Sequence, residues 1–390
     1  MAEVRDFDTY AKKKKAEQRS MLPAFRMVSV LIVVVLLIAL SYYSWRDKVY
    51  TQSRIVSRAN IVDAVEAACV NLDGYILQYS RDGMSLMDQN GEVIWNRTYE
   101  MQSPIVEICG DVVAIGDYNG RTIYVADTTS SIGEISTSLP IRSFHVASQG
   151  VVAVVLDDSE VTWINLYDPQ GTELASFRTT MADSGYPLSV SISPDGELVC
   201  VSFLTVEDAH AKTAVAFYNF GAVGQNRTDN FVSGYACEDN VIPRVRFLDN
   251  SHAYAIATDR ILFFEGDEIP VEKNAVMLGS DEIRSVYESD SYVGILFSGG
   301  SDEGAFRLQV YDKTGTHRFT RFFDHEYEGL LFANHHVILY DTDAWRVISM
   351  EGRDRYEGTF DYSVRAVIPT DVRSRFLLVA SDRIETVELR

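Results

Sequence analysis

A unit of about 40 residues recurs along this chain, and that repeat constrains the fold more than any other feature. A short apolar run ending on an acidic or polar residue returns eight times: SLMD ending at Asp88, IYVAD at Asp127, INLYD at Asp168, AFYN at Asn219, LFFE at Glu265, QVYD at Asp312, VIS at Ser349 and ETVE at Glu388. Successive copies lie 39, 41, 51, 46, 47, 37 and 39 residues apart. A glycine follows three positions later at Gly91, Gly171, Gly315 and Gly352, as a tight turn with positive φ requires.

Two further runs rich in Val, Ile, Tyr and Phe precede each copy, separated by Gly, Asp, Asn and Ser, which is strand-and-turn composition. The pairs are 62–70 with 74–79, 104–108 with 111–116, 141–147 with 150–156, and 187–193 with 197–204. They continue as 242–248 with 252–258, 282–288 with 291–297, 328–333 with 336–340, and 364–368 with 375–380. A fourth strand follows most sets, as at 92–99, 173–179 and 316–323. Four strands per unit of this length make the blade of a β-propeller, whose apolar faces are hidden only by stacking on neighbours. The expected fold is all-β: a β-propeller of eight blades over residues 61–390, with seven blades the alternative if 327–361 or 364–390 is irregular. The eighth set has three strands, so within the linker 46–60 the segment 49–57 (VYTQSRIVS) is expected to supply its outer strand and close the ring.

Residues 27–45, MVSVLIVVVLLIALSYYSW, hold no charge and are long enough to cross a hydrocarbon core as one transmembrane α-helix. Tyr42, Tyr43 and Trp45 at one end suit the headgroup region. Lys12, Lys13, Lys14, Lys15, Arg19 and Arg26 place the basic tail 1–26 in the cytoplasm by the positive-inside preference, although Arg46, Lys48, Arg54 and Arg58 flank the other side. The expectation is a single-pass protein held in the lipid bilayer through 27–45, with its propeller outside the cytoplasm. A cleaved signal peptide ending near Ala39-Leu40-Ser41 is the competing reading, opposed by the length of the apolar stretch and of the segment before it.

Charge divides the same way: residues 1–45 carry +3 and residues 46–390 carry −24, within a net −21. An acidic domain without a basic stripe or base-stacking patch repels phosphates, so nucleic acid is excluded as a partner. Cys69, Cys109, Cys200 and Cys237 are too few for a disulfide scaffold and form no zinc spacing. Cys69 and Cys109 occupy similar places in neighbouring repeats, which leaves one disulfide open beside the reading as small buried hydrophobes.

Residues 86–95, LMDQNGEVIW, resemble the quinoprotein propeller repeat, in which a turn glycine precedes a tryptophan, here Trp95. Residues 191–203, SISPDGELVCVSF, resemble the SPDG strand pair of WD40 and TolB-like propellers. Other turns, such as DPQGTELASF and DKTGTHRF, lack the tryptophan, so no quinone or other cofactor is assigned. The whole arrangement of basic tail, anchor and acidic irregular propeller is similar to a bacterial group, domain-of-unknown-function family 5711. That resemblance implies a cell-envelope protein and brings no activity or site with it.

No P-loop, dinucleotide fingerprint, GxSxG elbow or HExxH is present. His335 and His336 are adjacent and would point to opposite faces of a strand. His325 beside Asp324 and Glu326 reads as a polar loop, and no metal site is assigned. The loops from second to third strand share one face of a propeller, and they carry Asp82, Asp117, Asp158, Asp208, Asp259, Asp302, Asp343 and Asp382. These aspartates form a candidate acidic binding rim for a basic protein, a cationic polymer or divalent cations, although aspartate is also an ordinary turn residue. The expected function is a non-catalytic scaffold or sensor for an envelope protein partner. The alternative is a polysaccharide hydrolase or lyase using carboxylates near the channel.

Overall fold

The recurring Asp-x-x-Gly units are turns between the third and outer strands of four-stranded antiparallel sheets, and there are eight such sheets. The computed structural model describes residues 27, 30–38, 48–61, 67–158, 161–180, 184–207, 210–238, 240–279, 281–301 and 303–390. Residues Thr51–Arg390 form one unit, an eight-bladed β-propeller in which each sheet is an up-and-down meander.

The turn chemistry is local. Gly91 donates its N–H to the Asp88 carbonyl at 3.1 Å, while the Asp88 carboxylate accepts from the N–H groups of Asn90 and Glu92, both at 2.8 Å. Asp168 with Gly171 and Asp312 with Gly315 repeat the same set of bonds. Beside each turn the ladder slips by one residue, forming the bulge that lets a short loop join twisted strands. Gly91 and Gly315 both have φ of +81°. They also lie where the neighbouring blade comes close. A Cβ on Gly91 would sit 2.7 Å from Ile61 Cγ2, and one on Gly315 would sit 2.5 Å from the Phe263 ring.

Second strands such as Val112–Asp117 and Val152–Asp157 are buried on both faces, because each sheet is covered by a blade on either side. Leu77 and Leu86 meet Val113 and Ile115 between blades 1 and 2, and Phe217 meets Phe247 and Phe264 between blades 4 and 5. Trp345 of blade 7 packs edge-on against Phe376 of blade 8, with ring centroids 5.4 Å apart. Trp95 donates its indole N–H to the Asp127 carbonyl of the next blade at 3.0 Å, a structural use of the tryptophan at the quinoprotein-like turn.

Blade 8 takes Ala366–Pro369, Arg375–Val379 and Arg383–Leu389 from the end of the chain and its outer strand, Ser53–Asn60, from the beginning. The closing strand therefore starts four residues later than the expected 49–57. Its pairing runs from Ser53 opposite Leu389 to Asn60 opposite Arg383, with a bulge between Ile55 and Ser57. Ile55 and Val56 are exposed, so apolar pattern could not set the boundary; backbone bonds beyond the strand ends do. Thr51 donates to the Arg390 carbonyl at 2.8 Å, and Ile61 donates to the Asp382 carbonyl at 3.0 Å.

Residues Met1–Tyr50 are a separate unit. Within it 30–38 are helical with exposed apolar side chains, and the Lys48 ammonium lies 5.2 Å from the Tyr50 ring centre. Among the described residues no helix is long and apolar enough to cross a membrane. Tyr42, Tyr43, Trp45, Lys12, Lys13, Lys14, Lys15, Arg19 and Arg26 lie outside the described residues.

Candidate functional site

Inner strands line the channel of a propeller, and here four of them place charged or ionisable groups there. Pro104–Cys109 of blade 2 carries Glu107, Ile141–Val146 of blade 3 carries His145, Arg244–Phe247 of blade 5 carries Arg244 and Arg246, and Glu282–Glu288 of blade 6 carries Glu288. Arg246 donates to Glu107 at 2.7 Å and its Nε lies 3.4 Å from Glu288. Arg244 donates to Glu288 at 2.6 Å, and the Tyr254 hydroxyl donates to the other Glu288 oxygen.

Burial pushes the Glu107 carboxyl up, against the pull of Arg246. Burial, reinforced by Arg246, holds His145 well below the usual imidazole range, so it is neutral. Its Nδ1 accepts the Ile192 N–H at 3.1 Å, which leaves the proton on Nε2, 3.8 Å from Glu107. Ser189 and Ser191 continue the pattern by accepting the N–H groups of Val245 at 3.2 Å and Phe247 at 3.0 Å. Side chains thus satisfy the inner backbone edge that a propeller leaves without a strand partner. A cavity of about 150 Å³ remains beside Glu107, Ser143, Ser189, Arg244 and Arg246.

On the rim face, Asp82, Asp158, Asp343 and Asp382 are exposed, while Asp117 and Asp259 are half-buried. Asp208 and Asp302 lie outside the described residues. The carbonyls of Asp82, Asp259, Asp343 and Asp382 accept the N–H groups of Tyr99, Leu278, Phe360 and Ile61, each just past the outer strand of the same blade. The Asp117 carboxylate accepts from Ser103 N–H at 2.7 Å, and Asp259 accepts from Asn240 at 2.6 Å and from Arg260 at 2.8 Å. Part of the recurrence of aspartate is therefore a fastening of loop to blade.

Residues 46–389 match a family of unknown function, DUF5711. The chain belongs to the DUF5711 family. The DUF5711 propeller is similar in fold to BamB from Moraxella catarrhalis, with a TM-score of 0.51 and 13% identity over 87% of this chain and 100% of that one. It is likewise similar to Sqt1 from Saccharomyces cerevisiae, with a TM-score of 0.53 and 11% identity over 88% of this chain and 99% of that one. Sqt1 from Chaetomium thermophilum gives 0.53 and 13% over 87% and 100% of the two chains. At such identities the likeness is one of fold. A sequence search of curated proteins finds no match.

Three features of the DUF5711 propeller were not drawn from its sequence in this form. The channel cluster was visible only as charges interrupting apolar inner strands, in PIVEIC and PRVRF. His325 meets Asp341 and Asp343 rather than its sequence neighbours Asp324 and Glu326. His335 sits in a turn at φ +62°, and His336 begins a strand as a buried residue whose imidazole is lowered to about 4, first by burial and then by Arg373. All four cysteines are free thiols; Cys69 and Cys109 are half-buried, and burial raises Cys109 to about 11.

Proposed function

We propose that this DUF5711 protein is a membrane-anchored, extracytoplasmic propeller serving as a non-catalytic protein-binding scaffold or sensor in the cell envelope. The observation that carries the reading is the pairing of the channel carboxylates. The cavity of about 150 Å³ beside Glu107, Arg244 and Arg246 is below the roughly 300–1,000 Å³ of small-molecule sites. Glu107 and Glu288 are both engaged by arginine, so neither is held free for a sugar chain. The loops of the rim face then offer the exposed, variable chemistry through which a rigid scaffold meets partners.

The uncharged stretch 27–45 supports the anchor, and within it 30–38 are helical with every side chain exposed. The closing strand starts at Ser53, on the face of the third-to-outer turns, and ends at Asn60 beside Asp382 on the rim.

Mild crosslinking in intact cells, followed by membrane extraction and mass spectrometry, tests this function. The expected result is a recurring envelope protein that is lost when Asp82, Asp158 and Asp382 are changed to Asn. Recovery of the chain in the soluble fraction removes the anchor, and crosslinks that survive the triple variant remove the rim as the docking face.

A further inference from the structure

His325 stands in the connection from blade 6 into blade 7, between strands His317–Phe323 and Gly329–Ala333. Asp341 and Asp343 stand in the next loop of blade 7, between His336–Tyr340 and Ala344–Ser349. One donor atom from each, a ring nitrogen and two carboxylate oxygens, lie within 4.8 Å of one another. We propose that His325, Asp341 and Asp343 form a divalent-cation site and that zinc is the ion it takes.

The donor set selects the metal. Calcium and magnesium take shells of oxygen, whereas an imidazole with two carboxylates suits zinc, which accepts three protein ligands and completes its shell with water. One ligand is already fixed. The Asp341 side chain is 7% exposed, and its Oδ1 accepts the N–H groups of Asp343 at 2.9 Å and Ala344 at 2.8 Å. That support leaves Oδ2 turned to His325 Nε2, with which it pairs. Hydrogen bonds of this kind orient ligating carboxylates in metal sites.

The other two ligands can move. His325 and Asp343 are exposed, so they can close from the 4.8 Å envelope to the separations of about 3.4 Å expected for donors about 2.1 Å from zinc. The His325 ring lies edge-on to Tyr327, centroids 4.8 Å apart, which gives the imidazole a wall to turn against. On binding, the Nε2 lone pair goes to the metal and the neutral ring carries its one proton on Nδ1. The ion ties the connection entering blade 7 to the loop of that blade and keeps an open position on the rim. This site stands apart from the scaffold reading, since zinc binds here whether or not a partner docks.

The untagged full chain, purified in detergent and stripped with a chelator, is titrated with zinc by calorimetry and with cobalt by visible absorption. One ion per chain is expected. His325→Ala and Asp343→Asn each weaken binding by about tenfold or more, and Asp343→Asn leaves the metal-free Tm unchanged because that side chain is exposed. Asp324→Asn and Glu326→Gln leave the affinity where it was. Zinc binding that persists in the His325→Ala, Asp343→Asn double variant overturns the proposal. So does the absence of binding at millimolar zinc, or calcium bound as tightly as zinc.

Discussion

Arg246 on the inner strand of blade 5 donates to Glu107 on the inner strand of blade 2 at 2.7 Å, so one guanidinium spans the channel. Their side chains are 14% and 17% exposed, and neither charge is free to find water if the other is lost. Arg246→Met should therefore cost about 3 kcal/mol, read from chemical denaturation of the full chain. Adding Glu107→Gln should return most of that loss, because no unpaired carboxylate stays buried there. A double variant as unstable as the single one would mean that Arg246 acts through packing alone.

The turn glycines have two separable reasons. Gly279 has φ +85° and open space where a Cβ would lie, whereas Gly315 has φ +81° and the Phe263 ring in that place. Gly279→Ala should cost about 1 kcal/mol from backbone strain, and Gly315→Ala about 3 kcal/mol once steric conflict is added. Equal losses in thermal unfolding would show that blade-to-blade approach is irrelevant.

Ring closure is open to a direct experiment. Without residues 1–60, the strand Arg383–Leu389 becomes a bare edge and the Glu385 carboxylate, 1% exposed, loses Arg58. Such a chain should have a lower Tm and should aggregate, and a peptide of residues 51–61 should restore much of the Tm. Identical melting of the two chains would remove the closing role.

His336 supplies a pH dependence with a definite sign. Its imidazole is lowered to about 4 in the folded chain, and its Nε2 lies 3.4 Å from the Arg373 guanidinium. The unfolded chain takes up a proton near pH 6.5, so this stability is complete above that value and declines as pH falls toward 4. Between about pH 7 and about pH 5 the loss from this residue should approach about 2 kcal/mol. His336→Gln should flatten the curve by that amount, and an unchanged curve would assign the acid sensitivity to other groups such as His145.

The propeller was legible because its signals are local. Asp88, Asp168 and Asp312 each cap their own turn within four residues, and Gly91, Gly171 and Gly315 meet a φ requirement that no neighbour is needed to impose. Asp82, Asp158, Asp259, Asp343 and Asp382 lie between second and third strands, places that strand order alone gives. What a turn residue does beyond its turn was not legible. Asp117 and Asp259 are drawn into bonds with a connection and a neighbouring arginine, while Asp82 and Asp158 stay exposed.

Eight blades follow from the chain's own periodicity, because alternating apolar strands and Asp-x-x-Gly turns are imposed within a few residues of each other. The contacts that give the propeller its chemistry depend on the closed ring instead. Arg246 and Glu107 are 139 residues apart, and the pair forms only when blades 2 and 5 face one shared channel. His325 similarly finds Asp341 because two loops converge on one face, leaving its acidic neighbours Asp324 and Glu326 outside the cluster. Turn geometry is short-range, but electrostatic pairing is selected by whatever the fold brings within a few ångströms.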